Sequence, residues 1–209
     1  MKALSIRRLL LTVAMLWSAA VFGSDGNVTD NIKHEVRCQT VRGQEIIAAC
    51  NDGRIISVTP GHRPKTLVRK APVGDIVSMT CYQDNVLLLN ARGVIYFTTG
   101  FKSFSAFDFN STYAGFYDYV DFTAICASPN SICLAGTYEN GSPAVFESAT
   151  GDVWSERELS YTKGGQTLML LSQPTALEYD ELQDRFVMRC ADGSTFYMPG
   201  CSHCNSLDL

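Results

Sequence analysis

Apolar residues along this chain fall in short runs broken by glycine-bearing turns, and the pattern returns four times. Ile46-Ile47-Ala48-Ala49-Cys50 runs through Asn51-Asp52-Gly53 into Arg54-Ile55-Ile56, and Val86-Leu87-Leu88-Leu89 runs through Asn90-Ala91-Arg92-Gly93 into Val94-Ile95-Tyr96. The third copy leads from Ile132-Cys133-Leu134-Ala135-Gly136 through Tyr138-Glu139-Asn140-Gly141 to Ala144-Val145-Phe146. The fourth leads from Phe186-Val187-Met188-Arg189-Cys190 through Ala191-Asp192-Gly193 to Ser194-Thr195-Phe196-Tyr197. Asp-Gly or Asn-Gly between apolar runs is a strong hairpin signal, and a type I′ turn with positive φ at both central residues is the expected form. Each copy then ends in a strand carried into a second glycine, at Gly61, Gly100, Gly151 and Gly200. Upstream of each hairpin a further strand is predicted, over 34–41, 75–81, 122–127 and 174–179. Downstream of the first three comes a fourth strand, over 65–69, 103–109 and 153–160. Four strands per repeat of about 40–50 residues predict an all-β fold, a small β-propeller of about four blades. A sandwich or a barrel also has short strands at regular spacing and stays open as the alternative. A helix over 175–186 could set Leu177, Leu182 and Phe186 on one face, but no cap residue opens it, so strand–turn–strand is the better reading.

Two corners carry more than a glycine. Tyr96-Phe97-Thr98-Thr99-Gly100-Phe101-Lys102-Ser103-Phe104 and Phe146-Glu147-Ser148-Ala149-Thr150-Gly151-Asp152-Val153-Trp154 resemble degenerate Asp-box repeats of the sialidase (BNR) type. That pattern passes from an aromatic through small hydroxyl residues and an acidic–glycine turn to an aromatic on the outer strand. Its aspartate is missing, with Thr99 and Thr150 nearest its place, and one residue is deleted. The first and fourth repeats match only at their strand and glycine. The resemblance covers residues 34–204 in architecture and implies a propeller, since the motif belongs to blade corners and not to active sites. It also makes a glycan-binding or glycan-processing protein the alternative function. Sialidase-type catalysis would need a clustered arginine triad, whereas Arg54, Arg92, Arg157 and Arg185 are scattered singly.

The N-terminus follows another pattern. Lys2, Arg7 and Arg8 precede an apolar run from Leu9 to Phe22, closed by small residues at Ser18, Ala19, Ala20, Gly23 and Ser24. That order is a secretory signal peptide, and the run is shorter than the roughly 20 residues a spanning helix needs. The expected organisation is a signal peptide over 1–23, a linker over 24–33 and a single propeller-like domain over 34–209, in a protein that is secreted or periplasmic. Ile6 before Arg7-Arg8 and the strongly apolar run favour general export over the twin-arginine route, and no cysteine at the cleavage zone offers a lipid anchor. Turn residues or charges interrupt every other apolar stretch, so no stable membrane insertion is expected after cleavage. With 46% hydrophobic and 18% charged residues the chain is of folding composition. Cleavage would remove three basic residues and leave 14 against 21 acidic ones, a net charge of −7. An acidic chain without a basic stripe is a poor ligand for nucleic acid.

All eight cysteines follow the leader, at 38, 50, 81, 126, 133, 190, 201 and 204, and an even count in an exported chain favours disulfides. Cys126 and Cys133 flank a turn at Pro129-Asn130, and equal counts on either side set them opposite one another, within disulfide reach. Cys38 with Cys50 is a second candidate across the first hairpin, and Cys201 and Cys204 complete the candidates. Cys201-Ser202-His203-Cys204 has the form of a thiol-redox motif, which gives a second alternative function, although no helix of useful length follows it. The placing of His203 does not suit haem attachment, and one such cluster offers three zinc ligands at most. No metal site and no cofactor are expected.

The longest connection between repeats, 101–122, holds nine aromatic residues. Phe107, Tyr113, Tyr117 and Tyr119 with Asp118 and Asp121 are the candidate binding residues, because exposed rings beside acceptors suit protein and sugar partners alike. Packing of half these rings between blades is the competing reading. His34, His62 and His203 show no metal spacing, and no serine carries a nucleophile-elbow pattern. Asn27, Asn110 and Asn140 begin Asn-x-Ser/Thr sequons. The leading expectation is an exported, non-catalytic propeller that binds another macromolecule, with a protein or a glycan as partner. The four repeats are further expected to close into a ring, with 202–209 or 28–36 supplying the missing outer strand.

Overall fold

The computed structural model describes residues 36–71, 75–163 and 166–200. The signal peptide, the linker, Cys201 and Cys204 lie outside the described residues. The first sheet joins β1 (Val36–Arg42), β2 (Glu45–Cys50), β3 (Ile55–Val58) and β4 (Lys65–Val68) in sequence order. The second joins β5 (Ile76–Tyr82), β6 (Asn85–Asn90), β7 (Val94–Thr98) and β8 (Ser105–Asp108), and one helical turn, α1 (Phe109–Thr112), follows it. The third joins β9 (Val120–Ala127), β10 (Ile132–Tyr138), β11 (Pro143–Ser148) and β12 (Ser155–Glu156). A separate hairpin, β13 (Ser160–Lys163) with β14 (Gln166–Met169), precedes a three-stranded sheet of β15 (Pro174–Asp180), β16 (Arg185–Cys190) and β17 (Thr195–Pro199). Every named pair is antiparallel. The architecture is all-β, with four small sheets in a four-blade β-propeller arrangement, as the repeats predict.

The period of two in a strand explains how blades stack, since successive side chains point to opposite faces of each sheet. Ile47, Ala49 and Ile55 of the first blade meet Met79, Val86 and Leu88 of the second. From its other face the second blade offers Leu87, Leu89 and Ile95 to Ile125, Ile132, Leu134 and Phe146 of the third. The third then offers Cys133, Ala135 and Val145 to Phe186, Met188, Cys190 and Met198 of the fourth. Burial on both faces is why β2 and β6 read as unbroken apolar runs. The innermost strands β1, β5, β9 and β15 pack one on the next, but among the described residues no such packing returns from β15 to β1. The expected ring closure is therefore not seen there; of the segments expected to complete it, 28–36 and 202–209, only Val36 is described, and it belongs to β1, while the rest lie outside the described residues.

The hairpin glycines fall where the sequence puts them, in a different turn. Gly53, Gly93, Gly141 and Gly193 have φ of 84°, 83°, 85° and 83°, while no other residue of these turns has positive φ. Each glycine donates its N–H three residues back, to Cys50, Asn90, Tyr138 and Cys190 respectively. The turns are thus of type I with a left-handed glycine last, and not type I′. Side chains stabilise them: Asp52, Asn90, Asn140 and Asp192 each accept from the backbone N–H two residues on. The two Asp-box-like stretches lie at the β7–β8 and β11–β12 corners. There Thr98 Oγ1 accepts from Phe101 N and Ser148 Oγ accepts from Gly151 N, so a hydroxyl fixes each corner.

Candidate functional site

The aromatic connection between the second and third blades is built around a buried ring. Asp108 caps α1 by accepting from Ser111 N at 3.0 Å, and the turn it starts sends Phe109 inward, fully buried. Phe109 lies 4.6 Å from Phe146, 4.9 Å from Tyr113 and 5.0 Å from Phe122 between ring centroids. Phe107 is 6.4 Å from Tyr113 and 6.5 Å from Trp154, and Tyr117 is 4.9 Å from Phe146. The Tyr113 hydroxyl accepts from Trp154 N at 2.7 Å. Asn110 locks the ends of the connection: its side chain donates to the carbonyls of Arg92 and Val120 and accepts from Val120 N. Both halves of that amide are engaged, so a glycan on this sequon would cost the lock.

The six candidate binding residues therefore divide. Phe107, Tyr113 and Tyr117 are half-buried parts of the packed cluster, because the capped turn folds them back over Phe109. Asp118, Tyr119 and Asp121 face solvent, with Tyr119 42% exposed. Beside them Phe116, 82% exposed, is the most open ring of the described residues. Next to this tip, the Tyr138 hydroxyl donates to Glu156 at 2.8 Å. Burial foremost, then the Glu156 carboxylate, pushes the Tyr138 phenol well above its usual range.

A second surface was not legible in the spacing. A groove of about 500 Å³ runs between the β13–β14 hairpin and the fourth blade, lined by Met169, Leu170 and Leu171 on one side and Thr195, Phe196 and Tyr197 on the other. Elsewhere a buried ion pair joins the third blade to the end of the fourth. Arg157 Nε lies 3.2 Å from Glu147 Oε2, and Arg157 Nη2 donates to Pro199 O at 2.9 Å. Ser128 and Ser131 hydroxyls donate to the next carbonyl, Gly200 O.

None of the six described cysteines is disulfide-bonded in the structure. Cys126 and Cys133 are directly opposed between β9 and β10, as the equal counts predict, but no two described cysteines stand at disulfide distance. The Cys38–Cys50 pairing is corrected. A bulge in β1 sets Cys50 opposite Val36 and Cys38 opposite Ala49, so Cys38 packs towards the second blade while Cys50 packs on the other face. Burial pushes the Cys38 thiol up to about 12 and raises the Cys133 thiol further, despite the nearby Arg37 and Arg157 respectively. Among the described residues no group of three or more His, Cys, Asp or Glu could hold a metal ion, and no helix is long and apolar enough to cross a membrane.

No family model and no curated protein matches this sequence. Among solved structures the chain is similar to YCF48 bound to D1 peptide, with 15% identity and a TM-score of 0.57, over 78% of this chain and 51% of that one. It is also similar to YCF48 from Cyanidioschyzon merolae, with 10% identity and a TM-score of 0.50, over 82% of this chain and 56% of that one. YCF48 is a β-propeller, and at these identities the likeness shows the fold. The chain spans about half the length of the YCF48 chains it matches.

Proposed function

We propose that this chain is an exported interaction module that binds a segment of another protein without catalysing a reaction on it. The carrying observation is the tip at Phe116 and Tyr119, two exposed rings flanked by Asp118 and Asp121 and held by a packed aromatic base. Exposed aromatics whose backbone is already fixed bind with little ordering cost. The flanking carboxylates favour a partner that presents an apolar or aromatic side chain next to Lys or Arg. A propeller that binds a peptide has a precedent in YCF48 bound to D1 peptide. Export rests on the basic–apolar–small order of residues 1–23. It would bring the opposed Cys126 and Cys133 into an oxidising compartment, where non-reducing peptide mapping of exported protein should find them linked.

A displayed peptide library selected on the full chain tests the reading. Selected peptides should combine an aromatic or apolar residue with a basic one, and Phe116→Ala and Tyr119→Ala should each weaken their binding about tenfold. Peptides indifferent to both substitutions would refute it. Carboxylates beside rings also suit sugar hydroxyls. Capture by a glycan array, lost in Tyr119→Ala and without any peptide selected, would move the function to the glycan reading.

A further inference from the structure

The fourth blade differs from its neighbours at one edge. In each of the first three blades the third strand pairs on both sides, β3 with β4, β7 with β8 and β11 with β12. Among the described residues β17 pairs with β16 alone. The groups on its other side can be identified. Ser194 O accepts from Cys190 N, and Gly200 N donates to Asp184 O, so the even-numbered residues of this stretch bond into β16. Backbone groups alternate along a strand, which directs the N–H and C=O of Thr195 and Tyr197 to the free edge. That edge ends sharply, because Pro199 has no N–H and its carbonyl is held by Arg157. Two residues' worth of paired donors and acceptors therefore face outward, a short and defined template. Edge strands left this way invite another strand, and proteins ordinarily blunt them with charge, proline or a cover.

Here the flank is built up instead, and it sets exposed apolar side chains beside polar ones, Ser160, Ser172, Asp192 and Ser194. The β13–β14 hairpin, which the other blades lack, places Met169 and Leu171 across the groove from Tyr197. These three are 56%, 80% and 53% exposed, among the most open large apolar side chains described. The first three blades hold their outer strands with no such added wall, so a strand alone does not account for it. The cavity is of the size that holds ligand side chains.

We infer that this groove binds an extended segment of a partner protein, which adds to β17 as the fourth strand of the blade. Its backbone pairs with Thr195 and Tyr197, and alternate side chains, apolar ones, enter the space between Tyr197 and the hairpin. Recognition is main-chain in mode and lies apart from the aromatic tip, so it does not rest on the reading above. The expected ligand is short, with apolar residues at every second position over about five residues.

The experiment uses the full chain and blocked ten-residue peptides that alternate leucine with threonine, each N-methylated on one or the other alternate set of residues. Strand addition uses the N–H groups of one set only. Methylating that set should weaken binding about tenfold or more, as two main-chain hydrogen bonds go, and methylating the other should leave it unchanged. Amide hydrogen exchange at Thr195 and Tyr197 should slow when the unmethylated peptide is added. Leu171→Ser, on an exposed position outside the core, should weaken binding about fivefold without moving the melting temperature. Equal binding of both methylated sets, or none of the unmethylated peptide at millimolar concentration, would overturn the inference. So would exchange at both amides that is already slow without peptide: if independent of protein concentration, the chain fills its own edge, and if it slows with concentration, a second copy does.

Discussion

The two end blades share a register and differ in their outward faces. In the first blade the face turned away from its neighbour carries Ala48, Cys50 and Ile56 with Val36 and Val58, and the first three are buried. In the fourth blade the corresponding outward face carries Val187, Arg189, Glu178 and Tyr197. Arg189 pairs with Glu178 at 3.3 Å, and the Arg185 guanidinium lies 4.0 Å over the Tyr197 ring. One end is apolar and the other is ionic, although both strands descend from the same repeat. A polar outer face is how a terminal repeat stays soluble. The fourth blade meets that description and the first does not.

Substitutions can break this contrast. Ala48→Arg should cost about 3–5 kcal/mol, because it buries an unpaired charge, whereas Val187→Lys on the opposite end should stay within about 0.5 kcal/mol. Urea midpoints of the two variants give the comparison directly, and equal losses would mean that both outward faces are buried alike. The next contrast is between ion pairs. Arg157→Leu strands the buried Glu147 carboxylate and frees Pro199 O, an expected loss of about 3 kcal/mol. Arg189→Leu removes an exposed pair and should cost about 0–1 kcal/mol.

Cysteine labelling sharpens the picture of the first blade. With its thiol pushed up to about 12, Cys38 should react with iodoacetamide at pH 8 about a hundredfold more slowly in the folded chain than in urea. Mass-spectrometric timing of the modified peptide reads this, and fast labelling of the native chain would place Cys38 at the surface. The smallest effect is in acid. Arg42 holds the Glu45 carboxyl below its usual range, and Arg54 and Ser194 do the same for Asp52 and Asp192. A depressed folded-state value gives stability that is full above the unfolded value and lost as pH falls through the folded one. The urea midpoint should thus hold steady down to about pH 4.5 and decline below it. In Glu45→Gln the decline should be shallower.

Much of this was legible in the chain because blade stacking imposes a period of two with both faces apolar, which leaves runs such as Val86-Leu87-Leu88-Leu89. The hairpin β13–β14 was not, since Tyr161-Thr162-Lys163-Gly164-Gly165-Gln166-Thr167 has no apolar alternation, and the outer strand predicted over 153–160 absorbed its start. Within the aromatic connection, composition alone could not divide packed rings from exposed ones. The division follows from Asp108, whose cap sets the direction of Phe109 and hence of Tyr113 and Tyr117. Phe116 and Tyr119 lie beyond that turn and stay outside. The groove went unseen because its walls, Leu171 and Tyr197, meet only through folding.

The bulge in the innermost strand has a bearing on the ancestry of the chain. It falls at Val36/Cys38, Ile76/Ser78 and Pro174/Ala176, the same place in the first, second and fourth blades, whereas in the third it falls further along the strand, between Phe122 and Ala124. An irregularity shared at one position among units with few identical residues is the mark of duplication, since independent strands would have no reason to bend alike. Inherited with it is a common pair of faces, so a copied second blade spliced after the original would meet Leu87 with Leu88 and find its contacts ready-made. Blade number could then drift by whole units through recombination.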